Sequence, residues 1–299
     1  MAGLPRWALP AVGAFLVLLI LLFILFGRGG GGSSTAGACL TDLSTHLPES
    51  SLVVYGTDLV QARSAGYADD KPLEELGDAK RETGAIPDGL TERYRADALI
   101  STETLTARTG VEPGQIQCSL SDAQRSVMSG SFDVAEVSGS SVADDGQLAA
   151  TEDRLAFATG DADPEKLLLP RDGGGLGSND DAKRVIQSLR DDGSYSILVE
   201  VGNPKAEKRA RAAGLGVADA EGDDRALVVA WAFADADAAK AGRADIVDRV
   251  NGAIEGTSSI TSEDLELDGS LVRATIETRK APNLTRILDD RTTLIPTDS

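Results

Sequence analysis

The chain has 299 residues and a formal charge of −19, from 48 acidic against 29 basic side chains, with no basic stripe to track a phosphate backbone, so it offers no footing for nucleic acid. One histidine and two cysteines cannot supply a usual zinc site, and any Ser-His-Asp or Cys-His catalyst would have to be built on His46, which by its place near the membrane-proximal stalk reads as an exposed polar residue. Apolar residues at 41 % suffice for a real core, whereas aromatics at 4 % are too few for the sugar-stacking platforms of a glycosidase.

The first element is the uncharged apolar run Ala8–Phe26. At ~1.5 Å per residue its roughly 19 residues reach about 28 Å, close to the hydrocarbon thickness of a bilayer. The run exceeds the apolar region of a cleaved signal peptide, and the small-residue match Ala36-Gly37-Ala38 lies well past its end. That same triplet precedes Cys39 and is a poor and distant lipoprotein match. An uncleaved anchor over residues 1–26 is the expectation, with cleavage and lipidation as its competitors. The amino terminus and Arg6 outweigh Arg28 by one charge and Trp7 stands at an interfacial position, which orients the N-terminus inward and the bulk of the chain outside the cytoplasm.

A Gly/Ser-rich linker is expected over 27–46, a first α+β unit over 47–170, a second linker over 171–181 (RDGGGLGSNDD) and a second α+β unit over 182–299. In the first unit, Leu52–Gly56 reads as a strand and Asp58 caps a short helix ending near Gly66. Helices follow over 72–82 and 91–109, then a strand over 115–120. Ser126–Phe132 is a strand, Asp133 caps a helix to about Val142, and 147–151 with 154–160 form a hairpin. Asp163-Pro164-Glu165 opens a further helix carrying Leu167–Leu169.

The second unit begins with a helix over Asp181–Arg190, a strand over Tyr195–Val201 and a helix over Pro204–Ala213. Ala226–Ala234 (ALVVAWAFA) is the strongest strand, and a helix runs from Asp235 or Asp237 to Ile254 with Ile246, Val247, Val250 and Ile254 on one face. Strands at 264–267 and 271–278 flank the turn Asp268-Gly269, and a last short helix opens at Asn283 or Thr285. Strand, helix, hairpin, helix thus occurs twice. The expected fold is α+β: an antiparallel sheet with helices packed on one face, built as a duplicated split β-α-β unit. A slight residue likeness accompanies this, Ala156–Ala158 with Asp161 and Asp163 against Ala232–Ala234 with Asp235 and Asp237.

Chemistry-bearing motifs are sparse. Gly173–Gly177 lacks dinucleotide-loop spacing and does not follow a strong strand; Asp161-Ala162-Asp163 opens like a calcium loop but has Lys166 where glycine is needed. The six adjacent acid pairs (69–70, 144–145, 180–181, 191–192, 223–224, 289–290) fall at turns and helix starts, where aspartate serves the backbone. No catalytic, cofactor-binding or metal-ligating set is expected. The one candidate pair is Cys39 with Cys118, an even pair that an oxidising compartment would join.

Leu47-Pro48 with Val53–Leu59, Thr109–Pro113 and Ser129–Asp133 resemble segments of uncharacterised exported or membrane-anchored proteins of high-GC bacteria and salt-loving archaea. The resemblance covers about a third of the chain and implies no activity and no site residue. The expectation is a single-pass membrane protein whose extracytoplasmic part is a binding or envelope-interaction module with a protein or lipid partner, without cofactor, rather than an enzyme. Two alternatives stand beside it. A carrier of an apolar molecule or lipid would need a cavity lined by the faces of 181–190 and 236–254. A carboxylate-dependent hydrolase would need two acids from different elements converging in one cleft.

Overall fold

The computed structural model describes residues 38–64, 109–122, 124–140, 147–219, 225–253, 260–278 and 294–295. The chain divides into Met1–Ala36 and Gly37–Ser299, and the second unit is described below. The apolar run at 8–26, the helices expected at 72–82 and after 283, and the helix expected at 91–109 save for Thr109 lie outside the described residues. Among the described residues no helix is long and apolar enough to cross a membrane.

The unit is α+β, built on one ten-stranded sheet in which every neighbouring pair is antiparallel. The strands are β1 (Val53–Asp58), β2 (Ile116–Ser121), β3 (Arg125–Gly130), β4 (Leu148–Ala150) and β5 (Arg154–Ala158), then β6 (Ser196–Val201), β7 (Ala212–Asp219), β8 (Arg225–Ala232), β9 (Glu266–Asp268) and β10 (Leu271–Thr278). Their spatial order is β4-β5-β3-β2-β1-β6-β7-β8-β10-β9. The two halves meet where β1 pairs β6 about Tyr55↔Leu198. Outward from that seam the order third-fifth-fourth recurs. β3 and β4 flank β5, and β8 and β9 flank β10, with a helix between the outer two each time.

The helices are α1 (Ala38–Ser44), α2 (Leu59–Ser64), α3 (Val134–Ser138), α4 (Asp180–Asp191) and α5 (Ala236–Ala253). They cover both faces of the sheet, not one. Val228, Ala230 and Ala232 of β8 join α1 and α4 in one core, while Leu227, Val229 and Trp231 join α5 in another. A third core gathers Met128, Leu155 and Phe157 with Val137 of α3. A strand apolar at consecutive positions needs cover on both sides, and ALVVAWAFA carries that pattern in its sequence.

α4 starts where Asn179 Oδ1 accepts from the Asp181 and Ala182 N–H groups (3.1 and 3.0 Å). Ala182, Val185, Ile186 and Leu189 form its buried stripe, each of the larger three contributing roughly 1.5–3 kcal/mol by burial. α1 repeats the spacing with Leu40, Leu43, Ser44 and, just beyond its end, Leu47. Asp133 Oδ1 caps α3 through Ala135 and Glu136, and Asp235 Oδ1 caps α5 through Ala238 (2.8 Å).

Several expectations change. The helix expected over 204–213 does not form; turns and bends fill 204–211, and Ala212–Asp219 is strand. AAGLGVAD looks helical or loop-like by propensity, but a Cβ on Gly214 would stand 2.6 Å from Val185 Cγ1 and 2.8 Å from Leu189 Cδ1. Small residues here let α4 settle on the sheet, and tertiary packing overrides propensity. α1 occupies 38–44, inside the stretch assigned to the first linker, and it is apolar enough to be buried. The second linker is also built into the fold: Asp172–Ser178 is a kinked 3₁₀ segment with Gly175 and Leu176 buried. Gly175 sits at φ +52°, and a Cβ there would meet the Leu47 carbonyl at 2.3 Å, so the chain turns tightly against α1's exit. The helix after Asp163 is a single 3₁₀ turn, Glu165–Leu167, α3 ends at Ser138, and the last hairpin turns on Gly269-Ser270. Ala156–Ala158 closes β5 whereas Ala232–Ala234 lies at the end of β8, so their likeness joins places that differ in the strand order.

Candidate functional site

The sulfurs of Cys39 and Cys118 are bonded at 2.00 Å, joining α1 to β2 across 79 residues of sequence. Cys118 faces Asp58 in the β1–β2 ladder, which brings an aspartate at 2 % exposure beside the bridge. The two sulfurs and a carboxylate oxygen of Asp58 all lie within 4.8 Å of one another. Asp58 also accepts from the Gln61 N–H (2.9 Å), so its place follows from a second duty as the cap of α2. Arg190, from the last turn of α4, donates to Thr41 Oγ1 of α1 (3.3 Å); burial pulls the guanidinium down from its ordinary value, against the charges of Asp191 and Asp58. Bonded sulfurs present no thiolate to a metal. In this state the trio is a braced junction of α1, α4, β1 and β2.

His46 lies next to this junction and is buried at 2 % exposure, not the exposed residue that its place near the stalk suggests. Nδ1–H donates to the Leu167 carbonyl (2.8 Å), and burial holds the imidazole below its usual range. Its neighbours are carbonyls, Asp42 and Arg154, with no nucleophile in hydrogen-bond reach among the described residues. Structural support accounts for it. Arg171 Nε donates to the His46 carbonyl (3.0 Å) and ties the same turn to the 3₁₀ segment.

Outside this turn an open depression of about 960 Å³ is lined by Pro48–Ser50, Lys166, Leu169–Gly173, Gly175 and Ser178. Lys166 pairs with Asp163 (2.9 Å) and Arg171 Nε donates to the His46 carbonyl, so both cations of the groove are held by the fold. Leu169 stands 69 % exposed within it. The lining mixes apolar, acidic and basic groups, and its two carboxylates, Glu49 and Asp172, come from different parts of the chain. The acid pairs at 180–181 and 191–192 sit at opposite ends of α4; the other four lie wholly or partly outside the described residues. The cavity expected between α4 and α5 does not form, because those helices lie on opposite faces of the sheet.

On the second face, Glu200 of β6 is drawn into a partly buried position. Burial raises its carboxyl to about 7, against the pull of the Leu294 and Ile295 N–H groups and of Arg249 on α5. Trp231 Nε1–H donates to the Leu294 carbonyl (3.2 Å) alongside. Neither contact was singled out from sequence. A signal existed: in the strand SILVEV, alternation places the acid on the same face as Leu198, where a polar residue needs a partner.

No family model matches the chain, and no curated protein matches it. A solved structure titled crystal form I of TP0453 aligns over 84 % of this chain and 97 % of its own, at 10 % identity and a TM-score of 0.38. At that score the likeness carries no argument about fold or function.

Proposed function

We propose that this chain is a single-pass membrane-anchored extracytoplasmic protein whose α+β unit acts as a binding or envelope-interaction module. The Cys39–Cys118 bridge carries the reading. Such bonds persist where the medium is oxidising, and this one begins just past an uncharged 8–26 run long enough to span a bilayer. At the depression Lys166 is held by Asp163 and Arg171 by the His46 carbonyl, and His46 itself is buried against the Leu167 carbonyl, an arrangement that favours binding over catalysis. The unit itself reads as two copies of one split β-α-β design meeting at β1 and β6. The repeated strand order and the matching stripes of α1 and α4 support this.

The test has two arms. An alkaline-phosphatase reporter fused after Ser299, active only outside the cytoplasm, should be active and should stay with membranes through carbonate washing. A photo-crosslinker placed at Leu169 in intact cells should give a discrete adduct. An inactive or carbonate-released fusion overturns the topology, and a chain that never forms an adduct at the depression overturns the interaction module.

A further inference from the structure

One rung of the sheet sets four reactive or polar side chains in line. Asp58, Cys118, Ser129 and Arg154 stand opposite one another on β1, β2, β3 and β5, and so share a face at a strand spacing of about 4.8 Å. α1 lies over that rung and is tied to it twice, by Cys39 to Cys118 and, three residues on, by Asp42 to Arg154. The two sulfurs differ in access: Cys118 is fully buried, whereas Cys39, at the second residue of α1, is only partly buried. Ser129 is 5 % exposed and its hydroxyl has no hydrogen-bond partner among the described residues, and the same holds for Arg154 Nε beside it. A buried donor without an acceptor is costly, and alanine would fill the Ser129 position without that cost. The hydroxyl therefore points to a state of this rung in which an acceptor is present.

We propose that the Cys39–Cys118 bridge is a thiol–disulfide exchange centre, opened at Cys39 by a protein dithiol, with Ser129 receiving the Cys118 sulfur as it leaves. The attacking thiolate bonds to Cys39 Sγ, the bond between the two cysteines breaks, and its electron pair stays on Cys118 Sγ. That thiolate is the acceptor the Ser129 hydroxyl lacks while the bridge is closed. The partner's second thiolate then displaces Cys39. The partner departs as a disulfide, oxidised by two electrons, and the chain keeps two thiols after taking up the two protons the partner has lost. Asp58 flanks Cys118 on the other side, with a carboxylate oxygen within 4.8 Å of both sulfurs, and its charge opposes a thiolate there. The two neighbours of Cys118 thus act on its departure with opposite sign. After opening, the buried Leu40 and Leu43 and the Asp42–Arg154 pair keep α1 on the rung, so the thiols stay adjacent and the bridge can close again. This activity goes beyond the binding reading and stands without the membrane anchor.

Reduced glutathione and dithiothreitol test it on the full chain in detergent micelles, with N-ethylmaleimide as the quench and peptide mass mapping as the readout. Opening should be first order in thiol and unchanged by urea below the unfolding transition, and the first glutathione adduct should sit on Cys39. Ser129→Ala should open about tenfold more slowly, the effect of one lost hydrogen bond to a charged group. Asp58→Asn, which can still cap α2, should open faster than the parent. A rate independent of thiol or driven by mild urea, a first adduct on Cys118, Ser129→Ala no slower than the parent, or Asp58→Asn no faster overturns the exchange centre.

Discussion

Replacing both bridge cysteines, Cys39→Ala with Cys118→Ala, should cost most of the stability that loop closure confers. The bridge closes a loop with a sequence separation of 79. In the chain-entropy account such a loop restricts the unfolded ensemble by about 15 cal/mol/K, or about 4.5 kcal/mol at 25 °C. Most of that penalty falls on the unfolded state, since Cys118 already packs in the core and α1 keeps Leu40 and Leu43 buried. At roughly 2–4 °C per kcal/mol for a domain of this size, Tm should drop by about 9–18 °C. Calorimetry of the full chain in micelles, beside a urea series, measures both quantities, and a thiol titration of the denatured parent should find no reactive sulfhydryl. A loss below about 1 kcal/mol, or two titratable thiols in the parent, would refute the reasoning.

Gly214→Val should destabilise by about 1–3 kcal/mol by driving α4 off β7, with the urea midpoint as readout and Ala213→Val, on the opposite face, as the comparison. Asp133→Ala should cost about 1 kcal/mol through the lost cap of α3, and Asp133→Asn should recover most of it. His46 is held below its ordinary value of 6.5 in the folded state, so its contribution is complete above pH 6.5 and is lost as pH falls through that value toward the folded pKa. The parent minus His46→Gln difference in unfolding free energy should therefore decline only in that acid window, whereas a flat difference curve would remove the imidazole from the account.

Periodicity was enough to place the elements whose own residues decide them. α5 shows its face through Ile246 and Val250, the last hairpin through its glycine turn, and β8 through an apolar run that no loop would carry. β7 was hidden because its residues are chosen for what packs over them: Gly214 is small to admit Val185 and Leu189, contacts that no local window contains. His46 was read as exposed for a related reason, since its partner is Leu167, 121 positions away. Around the bridge, the pairing of Cys39 with Cys118 was open to inference from count and compartment. Asp58 was legible only as a helix cap, because its second neighbour arises from the register of β1 on β2. Strand order recurs outward from the β1–β6 seam, whereas the residue likeness misled, since an Ala- and Asp-rich chain matches itself by composition.

The bridge also decides how the unit would carry tension. A pull on the chain ahead of Ala38 enters at α1, a helix of 7 residues whose own backbone bonds would unravel one at a time. The covalent link at Cys39 stops that unravelling at its second residue and passes the load to β2, near the middle of the sheet. There the ladder bonds to β1 and β3 share the force, while the short outer strands β4 and β9 stay off the load path. With the cysteines reduced, the same pull would strip α1 and lift Leu40 and Leu43 from the core before it reached the sheet.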